Sequence, residues 1–190
     1  GNLKEPVTES TKKAARCFYA LSQNRADSKR YPAIDTLDSY SKYLEYPEFI
    51  DYSKEKLDEN WVGLVNEARN VLVRGKETEE QINILGDDSV PIDYHVTLWK
   101  SEFVDFVILQ QDAFDKIDAT TSLERQEYML KKVINVTRSE FKFEGFEEVA
   151  IYFKRLINVF RQMNYTVFKS EEFHKAEEEA NAVLEERIIK

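Results

Sequence analysis

One cysteine, five glycines, four prolines and two histidines in 190 residues leave several chemistries without material. Cys17 alone allows neither an intrachain disulfide nor a cysteine-based zinc site, which suits a reducing compartment. His95 and His174 are a thin supply of general bases, and no nucleophile-elbow pattern surrounds any serine. No apolar run approaches the ~18 residues of a membrane span, and no basic-then-apolar leader opens the chain, so no direct membrane insertion is expected. Basic residues are also outnumbered, 27 against 36 acidic, and the net charge of -9 would repel a phosphate backbone. Lys12, Lys13 and Arg16 are too few to override that field, which argues against a nucleic-acid partner.

What is present is core material on a polar frame. Twelve Phe, ten Tyr and two Trp within a hydrophobic fraction of 42% argue against disorder, while 33% charged residues and a mean hydropathy of -0.56 argue for a solvated surface. Few Gly and Pro leave little room for hairpins, so a mainly α architecture is expected, with a helical bundle after Pro47.

Along the chain, Lys13 to Leu21 reads equally as a short helix or a strand: its alanines favour helix, while Cys17, Phe18 and Tyr19 favour strand. Ser22 can cap a helix to about Arg30, after which Tyr31 must be extended because it precedes Pro32. Trp61, Leu64, Val65, Ala68, Val71 and Leu72 predict a helix over 58–74 that Gly75 stops, and Thr78 to Leu85 predicts another, ended by Gly86. Helices are further expected from Pro91 to about Gln110, after the cap Ser122, over 146–163 and after the cap Ser170. The boundary between the early segment and the bundle falls near Leu44 to Glu48, giving regions 1–45 and 46–190. The chain opens at Gly1 within what reads as a structured segment, so a piece of a longer protein is expected.

Candidate chemistry is sparse. Gly75-Lys76 imitates the end of a phosphate-binding loop, but Asn70 stands where the earlier glycine should be and Glu77 where Ser or Thr should be. Glu171 and His174 have the spacing of a di-iron helix without a second such pair, so a solvated face with local charge pairs is expected. Asp112, Asp115 and Asp118 lack the glycine turn of a calcium loop and read as surface charge. Tyr31 and Phe114 sit at element ends, where a ring can wall a pocket for a flat ligand or simply be an ordinary core or rim aromatic.

Four ordered stretches, GNLKEPVT at 1–8, RYPAIDTLDSYSKY at 30–43, ILGDDSVP at 84–91 and LQQDAFDKID at 109–118, resemble the A subunit of V/A-type rotary ATPases. The ending Ser39 to Tyr43 is more similar to the catalytic A subunit than to the B subunit, and the segments around Pro32 and Asp38 also resemble the catalytic β subunit of F-type enzymes. The resemblance implies that 1–45 is a short α/β remnant of a P-loop nucleotide-binding domain, with Lys13 to Leu21 a strand from its central sheet, and that 46–190 is the C-terminal helical bundle.

The same resemblance implies that Tyr31 and Phe114 sandwich adenine, with Gln111 and Ala113 lining the pocket. ATP or ADP with magnesium would bind the complete subunit and none is expected on this portion by itself, because the phosphate loop, magnesium ligands and catalytic glutamate of the family precede Gly1. Implied partners are B subunits in an alternating A/B hexamer and the central stalk, at a cytoplasmic site peripheral to the membrane. Asp35 and Thr36 stand where the family commonly has Asn-Trp, Asp38 where it has Thr or Ile, and Asp112 where it has Asn. The competing expectation is a non-enzymatic helical interaction module whose motif matches are coincidental.

Overall fold

Amphipathic runs with few interruptions make helices, and the computed structural model, which describes residues 4–189, holds eight α-helices among those residues. Gly1 to Leu3 of the first family-like stretch lie outside the described residues. The chain divides into two compact units between Val62 and Gly63.

The first unit opens with α1 (Pro6–Ala14), where Pro6 stands at the helix start, Glu9 in the first turn, and Lys12 and Lys13 in the last, each matched to the helix dipole. Lys13 to Leu21 is therefore neither a full helix nor a full strand. Its first residues end α1, and only Cys17–Phe18 forms β1, pairing antiparallel with β2 (Tyr40–Ser41). Phe18 lies opposite Tyr40 with ring centroids 6.0 Å apart, and the Tyr40 hydroxyl donates to the carbonyl of Lys12. That bond turns the chain from α1 into the ladder.

Ser22 caps α2 (Gln23–Asp27), accepting from the Arg25 amide at 3.3 Å. The helix stops short of the expected Arg30 because Lys29 adopts φ 55°, and the Arg30 amide folds back to the Arg25 carbonyl at 2.8 Å. A further helix, α3 (Pro47–Lys56), was not legible in the apolar period, since Ser53 is its one buried residue. Its signals are at the ends: Pro47 and Glu48 at the start, Lys54 and Lys56 in the last turn.

The second unit takes most of α4 (Trp61–Leu85), then α5 (Ile92–Val104), α6 (Leu123–Arg138), α7 (Phe146–Asn164) and α8 (Glu171–Glu185). Gly75 does not stop a helix. It lies buried inside α4, whose buried positions Leu64, Ala68, Val71, Gly75, Thr78 and Ile82 step by three and four along one face. Gly86, at φ 91°, is where α4 ends, a backbone conformation that glycine adopts without penalty.

Helix α7 is the centre of this unit: Val149, Phe153, Leu156, Phe160 and Met163 are all at most 1% exposed, with Phe160 edge-on to Phe103 of α5 at 4.9 Å. Ser122 and Ser170 cap α6 and α8 as expected, accepting from the amides of Arg125 and Phe173. The chain end is pinned by a bridge between Phe141 and Ile188 and by the Tyr152 hydroxyl, which donates to the Leu184 carbonyl at 3.0 Å.

Candidate functional site

The last turn of the fifth helical rod widens. Residues Asp105–Leu109 form a π turn, in which the Gln110 amide reaches five residues back to the Asp105 carbonyl at 2.9 Å. Asn164 at the end of α7 donates its side-chain amide to the Val107 carbonyl at 2.9 Å, satisfying an acceptor within the altered turn. The π turn releases the chain at Gln110 into the loop that carries Gln111, Ala113 and Phe114.

That loop is built on aspartates. Asp112 Oδ1 accepts from the Phe114 amide at 2.9 Å; Asp115 Oδ1 accepts from Ile117 and Asp118 at 2.9 and 2.8 Å. Asp118 is 6% exposed, and its Oδ2 accepts from the Asp112 amide at 2.6 Å across the base of the loop. Burial pushes the Asp118 carboxyl above its ordinary value, against the hydrogen bond from Asp112 and the positive charge of Arg125. Arg125, 3% exposed, donates to the Met163 carbonyl and so ties the start of α6 to α7.

Asp112 and Asp115 are half-buried turn-formers and Asp118 is interior, which corrects the reading of this triple as surface charge. The amides held by Asp112 and Asp115 lie two or three residues on, the reach of an Asx turn, whereas Asp118 holds an amide six residues back, which no local pattern announces. Among the described residues no group of His, Cys, Asp and Glu could hold a metal ion. Glu171 does make a local charge pair with Lys175 at 2.7 Å, and His174 Nδ1 lies 3.5 Å from a Glu177 carboxylate oxygen.

Phe114 is 99% exposed, an orientation with no stabilising contact of its own, since burying such a ring is worth about 2 kcal/mol or more. Ala113 is exposed beside it. Gln111 is exposed as a residue, yet its side-chain amide donates inward to the Asp118 carbonyl at 2.7 Å, so it braces the loop.

Tyr31 belongs to the first unit, where it is 54% exposed and precedes Pro32 through a cis peptide. Its segment is held on both sides. The Ser22 amide donates to the Ala33 carbonyl at 2.9 Å and the Asp35 amide to the Ala20 carbonyl at 2.7 Å, around the bridge between Leu21 and Ile34. Asp35 Oδ1 accepts from Leu37 and Asp38, and buried Ser39 accepts from the Ala20 amide at 3.0 Å. The acid at 35 is thus a turn-former, the same device that builds the Phe114 loop.

Each exposed ring is therefore presented by a hydrogen-bonded loop. A model of the C-terminal domain of V and A type ATP synthase matches residues 50–144, which contain the whole Phe114 loop. The chain belongs to that family. The V-type ATP synthase alpha chain of Borrelia duttonii is 38% identical over 180 residues, 93% of this chain and 28% of its own length. That of Protochlamydia amoebophila is 33% identical over 190 residues, 100% of this chain and 32% of its own length. The chain spans about three-tenths of these relatives.

The solved ATP synthase subunit NeqB from Nanoarcheaum equitans is similar in fold, with a TM-score of 0.51 at 20% identity over 74% of this chain and 32% of that one. Membership of a V/A-type ATP synthase family leaves the idea of coincidental motifs in an unrelated interaction module without support. No described helix is long and apolar enough to cross a membrane.

Proposed function

We propose that this chain is the C-terminal part of the catalytic subunit of a V/A-type rotary ATP synthase or ATPase, and that it supplies adenine-pocket walls and a helical lever. Region 1–45 is the remnant of the nucleotide-binding domain in this reading, and 46–190 the lever. The observation that carries it is Phe114, a ring 99% exposed on a braced loop inside the family-matched segment. An exposed ring held by its backbone is ready to stack on a base.

The family resemblance supports Tyr31 as a second ring for the base, with Ala113 on the pocket wall and Gln111 beside it. Stacking secures the nucleotide through its base and leaves phosphate positioning and charge stabilisation to residues that this sequence does not contain. Magnesium and ATP or ADP then act in the complete subunit, with B subunits and a central stalk as partners on a cytoplasmic, membrane-peripheral complex. Movement of the helices as the pocket fills and empties would bias the stalk through contacts that differ between states.

Phe114→Ala in the complete subunit tests the ring. Stacking is worth about 1–3 kcal/mol, so nucleotide affinity should fall correspondingly, and unchanged affinity rejects the role. The 190-residue chain alone should show no magnesium-dependent ATP hydrolysis; turnover above a no-protein blank would place catalytic groups within it.

A further inference from the structure

An exposed ring has no packing to aim it, so its position is inherited from its backbone. Phe114 lies in a loop whose two ends are joined through one buried side chain: Asp118 Oδ2 accepts from the Asp112 amide at 2.6 Å. The Asp118 carbonyl also accepts from Gln111 Nε2 at 2.7 Å and from Thr121 Oγ1 at 3.0 Å. Asp112, whose own amide is fastened this way, in turn accepts from the Phe114 amide at 2.9 Å. The chain of bonds runs from the interior to the ring without a break.

We infer that Asp118 is a positioning residue for base binding: by closing the loop from Asp112 to Asp118 it fixes where the Phe114 ring stands. This rests on the reading of Phe114 as an adenine wall. Burial gives the single bond its leverage, because water does not compete at a carboxylate that is 6% exposed. The requirement is for an acceptor oxygen at that reach, which asparagine also offers and alanine does not.

The test uses the complete subunit with Asp118→Ala, Asp118→Asn and Phe114→Ala, and measures binding of ADP and of pyrophosphate, which lacks the base, together with thermal unfolding. Asp118→Ala should weaken ADP binding by about 3- to 10-fold, part of what stacking on the ring is worth, and leave pyrophosphate binding unchanged. Asp118→Asn should bind ADP within about twofold of the parent. Equal losses for both ligands would mark Asp118 as merely structural and overturn the inference. Unchanged ADP binding in Asp118→Ala, with a loss in Phe114→Ala, would overturn it while sparing the adenine reading. No effect of Phe114→Ala would remove both. Should Asp118→Ala fail to fold, Asp118→Ser keeps a buried polar group too short to reach Asp112 and carries the same expectations.

Discussion

Gly75 of α4 faces Ser101 of α5 so closely that a Cβ built on the glycine would stand 2.1 Å from the serine Cβ. Real atoms do not approach to that distance, so any side chain at 75 must push the two helices apart. Gly75→Ala should destabilise the chain by about 1–3 kcal/mol through overpacking, outweighing the ~1 kcal/mol that alanine gains over glycine in helix propensity. Urea unfolding of the 190-residue chain measures this. Ser101→Gly added to Gly75→Ala should restore much of the loss, and a Gly75→Ala protein as stable as the parent would show that the contact relaxes freely.

The same glycine marks a limit of what a sequence discloses. Its position at the end of an apolar stripe reads as a helix stop, because backbone freedom is a local property, whereas close approach depends on a neighbour 26 positions away that no local pattern announces. Helices α6 and α8 are legible because caps at Ser122 and Ser170 agree with strong apolar stripes, and α7 is legible from its stripe alone, since Gly145 at its start makes no side-chain cap. Helix α3 was missed for the opposite reason, with end signals and only Ser53 buried. Around the candidate site the aromatics were visible in the sequence, while the burial of Asp118 was not, since a carboxylate reads as surface until its amide partner is located.

Glu177 offers a test by pH. It accepts from Lys132 at 2.8 Å and from the Tyr128 hydroxyl, which joins α8 to α6, and its side chain is 14% exposed. Burial pushes its carboxyl up, but the bonds from Lys132 and Tyr128 and the lysine charge outweigh burial, and His174 adds to them, leaving it below the ordinary glutamate value. A lowered folded-state value means that the stabilisation is present above the unfolded value of about 4.3 and is lost as pH falls through the folded one. Glu177→Gln should therefore cost about 1–2 kcal/mol at neutral pH and flatten the acid limb of stability between about pH 5 and 3. Denaturant midpoints measured across that window decide it; parallel limbs for parent and variant would remove Glu177 from the acid response.

The two proposed adenine walls make a prediction that neither ring makes alone. Tyr31 and Phe114 belong to different compact units and are presented by unrelated loops, so two independent sites would give additive losses of affinity when each is cut to alanine. If both grip one base, removing the first ring frees the base to shift, and the second ring then has less to lose. The double variant in the complete subunit should thus bind ADP better than the sum of the single losses predicts, by about 0.5–1.5 kcal/mol. Binding of pyrophosphate should be unaffected in all three variants, because a phosphate without a base has nothing to stack. Strict additivity for ADP would mean that the rings do not share a ligand, and Tyr31 would then have to be withdrawn from the pocket even if Phe114 stayed.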